Sequence, residues 1–112
     1  MDYTCIFCRI ANGTVPTKFI AETTEVFVIA DIAPRAKTHL LVVPKKHIRN
    51  MKEIDLAKDD QLCKEMFQAV VTATSKLNDE QAFKLICNNE RAAGQEIMHL
   101  HWHILSENEL GQ

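Results

Sequence analysis

His99-Leu100-His101-Trp102-His103-Ile104-Leu105 alternates imidazoles with apolar side chains and contains no Gly or Pro. Period-two alternation is the mark of a β-strand, on which successive side chains point to opposite faces. His99, His101 and His103 are therefore expected on one face, and Leu100, Trp102 and Ile104 on the other, buried one. The chain has five histidines, and three of them stand in this row. A lone buried histidine is usually a hydrogen-bonded core residue. Three in register differ, because each neutral ring needs both a donor and an acceptor partner. The row reads as a site for chemistry: a metal held by three imidazoles, or one histidine acting as nucleophile or base and oriented by its neighbours.

The segments around the row set the architecture. Residues 82–87 read as a strand, followed by a polar loop over 88–95. Gly94 in that loop permits positive φ or close backbone approach to a ligand, and the N–H groups around it suit phosphate oxygens. Residues 55–77 place Leu62, Cys63, Met66, Phe67, Val70, Ala73 and Leu77 at three-and-four spacing, which predicts an amphipathic helix. Asp55 and Asp59 are candidate caps at its start, and Asn78-Asp79 closes it. Residues 39–43 form a nearly all-apolar strand stopped by Pro44. Residues 18–21 and 26–30 read as two strands around a turn over 22–25, with a loop over 31–37 and a short helical turn over 50–54. A short N-terminal helix over 4–11 ends at Asn12-Gly13. The tail, 106–112, is polar and expected to be loosely ordered. This order predicts an α+β fold in which an antiparallel sheet carries the long helix on one face.

At 112 residues the chain is one domain's worth, 1–112, and 46% hydrophobic residues supply a modest core. A net charge of −2 gives no bulk attraction to nucleic acid. No apolar run is long enough to span a bilayer, and the opening MDYTCIFCRI lacks the basic start and long apolar stretch of a signal peptide. The expectation is a soluble, cytoplasmic protein with no membrane partner. Its four cysteines then argue for metal or thiols rather than disulfides.

Cys5-x-x-Cys8 alone is ambiguous between a redox pair, half of a zinc site and two small apolar residues. A redox motif of this kind should follow a strand and open a long helix, whereas this one precedes every strand. Cys63 and Cys87 read as core thiols. His47 and His99 remain as partners, giving a Cys2His2 set of suitable ligand type. His39, opening a strand, reads as a capping or supporting hydrogen bonder, and Lys45-Lys46 as a solvated turn. Asp31, at a strand end, is placed to hydrogen-bond a ribose.

The histidine row resembles the motif of the histidine triad (HIT) superfamily, His-φ-His-φ-His-φ-φ with φ apolar. Cys5-Ile6-Phe7-Cys8-Arg9-Ile10 is similar to the N-terminal segment of many bacterial members. Asp31-Ile32 with Pro34, the run His39 to His47 and Ala93-Gly94-Gln95-Glu96 resemble the Hint branch. The resemblance covers nearly all of residues 4–105. It implies a five-stranded antiparallel sheet with one long helix and a short N-terminal helix, paired in a homodimer. It further implies a purine nucleoside monophosphate ligand and phosphoramidase or nucleotide hydrolase activity through a nucleotidyl-histidine intermediate.

By position, the resemblance makes His101 the nucleophile and His103 a phosphate-contacting partner. Asp31 falls at the ribose carboxylate, Ile32 beside the base, and Asn88, Gly94, Gln95 and Glu96 in the phosphate loop. Cys5, Cys8, His47 and His99 fall at the ligands of a structural zinc, one per chain. Glu96 stands where many members have Ser, and a carboxylate there would attract a cationic leaving amine. The tail lacks the Trp-Pro-rich ending of some relatives. Two other functions compete: a nucleotide-binding module with little turnover, against which stands the intact His101, and a metalloenzyme with zinc on His99, His101 and His103.

Overall fold

The computed structural model describes residues 4–111. Along the chain run α1 (Ile6–Ala11), β1 (Ala21–Glu22), β2 (Val26–Ala30), β3 (Thr38–Pro44), α2 (Asp60–Thr74), β4 (Lys84–Cys87) and β5 (Trp102–Ser106), with 3₁₀ turns at Met51–Glu53 and Arg91–Ala93. The five strands make one antiparallel sheet in the order β1-β2-β3-β5-β4. This is the α+β architecture expected.

β2 and β3 are apolar at almost every position because both faces of the sheet are covered. On one face Val26, Val28, Leu40, Val42 and Ile104 pack against Leu62, Met66, Ala69, Val70 and Ala73 of α2. On the other, Phe27, Ile29, Leu41 and Val43 pack against Cys5, Phe7, Cys8 and Ile10 of α1 and its cap. The predicted sorting of the histidine row holds: Leu100, Trp102 and Ile104 lie in the α2-facing core.

The ladder of the histidine strand is shorter than expected, and Pro44 is the reason. β3 pairs with β5 from Thr38↔Ser106 to Val42↔Trp102. Continuing that register past Val43 and His101 would set Leu100 against Pro44, which has no N–H to donate. The chain leaves the ladder there. Leu100 N–H donates to Ile48 O at 2.6 Å, and His99 Nε2–H takes the Pro44 carbonyl at 2.8 Å.

Other boundaries shift for local reasons. β1 is Ala21–Glu22 rather than 18–21, because Thr23 N–H reaches Val26 O at 2.8 Å and Val26 N–H reaches Thr23 Oγ1 at 3.1 Å, tightening the turn and leaving Glu22 paired with Phe27. The long helix starts at Asp60, not 55. Asp59 takes the N-cap position, as expected, but its carboxylate accepts from Asp55 N–H at 2.9 Å and from Lys46 Nζ at 2.9 Å and makes no side-chain capping bond. The expected apolar stripe is buried at Leu62, Met66, Val70 and Ala73, but Phe67 is 60% exposed and Cys63 only half-buried. At the other end Thr74 Oγ1–H bonds back to Val70 O at 2.7 Å and the helix stops.

The tail is fastened rather than loose. Leu110 bridges Leu77, Asn78 N–H reaches Glu109 O at 2.8 Å, and Thr38 Oγ1–H donates to Asn108 O at 2.8 Å. Met1, Asp2 and Tyr3 of the leader reading, and Gln112 of the tail and domain readings, lie outside the described residues. No helix among the described residues is long and apolar enough to cross a membrane.

Candidate active site and metal centre

Helix α1 opens on Cys5, whose Sγ accepts from Cys8 N–H at 3.4 Å and so turns both thiols the same way. They meet two imidazoles. Cys5 Sγ lies 3.2 Å from His99 Nδ1, and Cys8 Sγ lies 3.2 Å from His47 Nδ1 and 3.6 Å from His99 Nδ1. The four ligand atoms all lie within 4.8 Å of one another. The cysteines are thiols without a disulfide. His99 is fully buried, and burial pushes its pKa down to about 4. Its Nε2–H is committed to the Pro44 carbonyl, so Nδ1 carries a lone pair aimed at the sulfurs. Tetrahedral zinc with ordinary bond lengths needs S···N separations of about 3.5 Å, close to those seen. The donor set fits zinc.

Beyond Phe7 opens a cleft of about 540 Å³. Ile6, Phe7, Ile10 and Ile29 make an apolar wall, while Asp31, Gly94, Glu96, His101 and His103 supply the polar side. Ile32 stands fully exposed at the rim. His101 Nδ1–H donates to its neighbour's carbonyl, His99 O, at 2.7 Å, which leaves the Nε2 lone pair for the cleft. Burial lowers the His101 pKa, against the His99 carbonyl and the Asp31 and Glu96 charges, so the ring is neutral at neutral pH.

His103 is set by a chain of hydrogen bonds. Arg35 N–H donates to His39 Nδ1 at 3.2 Å, which fixes the His39 proton on Nε2. Nε2–H then donates to His103 Nδ1 at 2.9 Å. Burial holds the His103 pKa near 4, so the neutral ring keeps its remaining proton on Nε2 as a donor. His39 thus has the supporting role expected of it. Asp31, His39 and His103 also form a group of metal-ligand type, but the Arg35 N–H dictates a hydrogen-bonded chain there. Among the described residues no grouping of ligand atoms joins His99, His101 and His103.

Asp31 sits at the end of β2, with Oδ1 accepting from Ala33 N–H at 2.8 Å and Oδ2 3.4 Å from His39 Nε2. Gly94 adopts φ 93°, the left-handed conformation glycine tolerates. Asn88 and Gln95 stand behind the cleft rather than in its lining. Gln95 is 3% exposed, and its amide is fully engaged: Oε1 accepts from Asn50 Nδ2 and Glu90 N–H, and Nε2–H donates to Arg49 O and Ile97 O. Gln95 braces the loop.

The sequence model of one family, the HIT domain, matches residues 12–110. The chain belongs to the HIT family. A HIT-like protein of Methanocaldococcus jannaschii, itself uncharacterised, is 42% identical over 103 residues, covering 90% of this chain and 77% of that one. Adenosine 5'-monophosphoramidase hnt1 of Schizosaccharomyces pombe is 37% identical over 101 residues, covering 90% of this chain and 72% of that protein. The solved structure of a HIT family hydrolase from Clostridium thermocellum superposes with a TM-score of 0.83 at 35% identity, covering 95% and 92% of the two chains.

Within this HIT chain the matched stretch contains the triad, and the cysteine pair lies just outside it. Sequence reasoning did not find the loop's brace. Glu90 holds φ 77°, ψ 160°, and its carboxylate takes Arg49 Nε–H and Nη2–H at 3.2 and 2.9 Å and Asn50 Nδ2 at 2.6 Å. Partners about 40 residues away leave no periodic signal. The apolar wall was also missed, although Ile6 and Ile10 at helical spacing beside the CxxC were the available clue.

Proposed function

We propose that the protein is a HIT hydrolase that cleaves purine nucleoside phosphoramidates or related nucleoside monophosphate conjugates at the α-phosphorus. The observation that carries this reading is the His101 ring, whose Nδ1–H is held by the His99 carbonyl while Nε2 faces the cleft. A neutral imidazole fixed in that tautomer is a nucleophile without a competing proton. The name of the fission-yeast relative, an adenosine 5'-monophosphoramidase, supports the substrate class.

The chemistry follows in two balanced steps. His101 Nε2 bonds to phosphorus as the P–N bond to the amine breaks, and the amine takes a proton from solvent as it leaves. Water then attacks the phosphorus of the nucleotidyl-histidine, gives up a proton to solvent, and restores the imidazole lone pair. One water is consumed, and one nucleoside monophosphate and one amine are released. His103 Nε2–H meets the phosphate charge; the N–H groups of Ala93, Gly94 and Gln95, expected from the sequence to hold phosphate oxygens, are instead donated to the Glu90 and Arg91 carbonyls and shape the loop. Asp31 receives the ribose hydroxyls, Ile32 and the apolar wall the base, and Asn88, Gln95 and Glu96 complete the loop. Zinc on Cys5, Cys8, His47 and His99 would supply a structural cross-link.

The reading takes residues 1–112 as one HIT domain working in the cytoplasm, where the cysteines stay reduced, and as a homodimer. Met66 and Val70 of α2 are buried against the chain's own sheet and leave no surface for a partner. The exposed apolar side chains of this region are Phe67 and Val71 on α2, at 60 and 68% exposure, and Phe83 and Leu85 just before and within the edge strand β4, at 42 and 40%.

Hydrolysis of adenosine 5'-phosphoramidate, followed by AMP release, tests the assignment. His101→Ala should lose about a thousandfold or more in turnover while retaining AMP binding through Asp31 and the apolar wall. His103→Ala should lose less, because it donates a hydrogen bond and forms no covalent one. Wild-type turnover in His101→Ala would remove the nucleophile assignment.

A further inference from the structure

We infer that metal occupancy and nucleotide binding are energetically coupled through α1, with Phe7 as the positioning residue; this rests on the zinc and nucleotide readings above. α1 has only six residues, far below the roughly 12–15 at which an isolated helix becomes even marginal in water. Its place therefore depends on what it docks against. One side of this short segment, Cys5 and Cys8, meets His99 and His47. Another, Ile6, Phe7 and Ile10, is a wall of the cleft. Moving the thiols moves the wall.

Two contacts make the connection specific. The Phe7 ring, 2% exposed, stands edge-on to His99 at 5.5 Å between centroids and 76°, and against His101 at 5.2 Å and 57°. One side chain therefore touches both a metal ligand and the nucleophile. In addition, the residue whose Nδ1 faces the sulfurs gives its own backbone carbonyl to His101 Nδ1–H at 2.7 Å. A shift of His99 on metal loss reaches the His101 tautomer without an intermediary.

Coupling of this kind is reciprocal: if zinc raises AMP affinity by some factor, AMP raises zinc affinity by the same factor. The expected factor is about tenfold. AMP affinity is measured by calorimetry on zinc-loaded and chelator-stripped protein, and zinc affinity by competition with a chromophoric chelator, with and without saturating AMP. Tighter AMP binding in the loaded form, matched by tighter zinc binding with AMP present, is the expected result. Should the stripped chain unfold, the zinc titration on loaded protein still reads the coupling from the other side.

Phe7→Ala separates positioning from simple lining. A lining role weakens AMP binding equally in both forms, whereas positioning collapses the loaded-to-stripped ratio towards one, and Phe7→Leu restores part of it. Equal AMP affinity in loaded and stripped protein, or zinc affinity indifferent to AMP, overturns the coupling alone. Failure of both forms to bind AMP overturns the nucleotide reading and the coupling with it.

Discussion

Glu96 is the residue at which this cleft departs most from a plain phosphate site. Its carboxylate lines the cleft and, like that of Asp31, works against the burial that lowers the His101 pKa. In the proposed reaction, two carboxylates beside His101 disfavour an anionic leaving group and favour a cationic one. A unit charge pair about 6 Å apart, in a medium between protein and water, is worth roughly fivefold to tenfold in rate. Adenosine phosphoramidates of a diamine and of an amino acid should therefore differ in kcat/KM by about that much in favour of the diamine. Glu96→Ser should shrink the difference, and an unchanged ratio would show that Glu96 does not read the leaving group. At this scale the sequence was informative wherever a role is set by neighbours in the chain. The triad faces, the Cys2His2 set and His39 were legible from alternation, ligand type and strand position. Gln95 was not, because its amide is spent on Asn50, Arg49 and Glu90, and no local pattern announces partners brought in by folding.

At the level of elements, α2 is tied to the β1–β2 turn by one buried carboxylate. Hydrogen bonds from the Thr23 hydroxyl, the Glu25 backbone N–H and the Gln61 amide hold the Glu65 pKa down from 4.5 to about 2. A carboxylate whose folded pKa is depressed stabilises the fold above its unfolded value, and that contribution fades as pH falls through the folded one. Glu65 should therefore support the fold fully above about pH 4.5 and lose its effect progressively towards pH 2. Glu65→Gln should flatten the dependence of the midpoint of unfolding on pH across that window, as measured by urea titration. The elements themselves were largely readable because they are strongly patterned. Their ends were not: Pro44 truncates the β5 ladder from the opposite strand, and Asp59 spends its carboxylate on Lys46 and Asp55 instead of a cap. Both effects come from across the structure.

For the molecule as a whole, the sheet leaves β4 paired on one side only, with Phe67 edge-on to Trp102 at 5.0 Å between ring centroids and exposed beyond it. Light scattering at micromolar protein should give twice the 12.8 kDa chain mass, and Phe67→Asp should return it towards the monomer. A wild-type mass near 12.8 kDa would exclude the dimer. The Cys2His2 cluster carries a different consequence for the molecule, one of timing. Cys5 and His99 are 94 positions apart, so a growing chain exposes the thiols long before their imidazole partner exists. Closing so long a loop is costly until the β3–β5 pairing has brought residue 99 alongside Pro44. The cluster is therefore assembled by the sheet and cannot nucleate it. Zinc should slow unfolding in stopped-flow experiments while leaving the refolding rate nearly unchanged, the behaviour of an interaction formed after the folding barrier. The thiols, made well before His99, would then be among the last groups to be fastened, and the cell's supply of metal would govern how long the finished protein lasts rather than how quickly it is made.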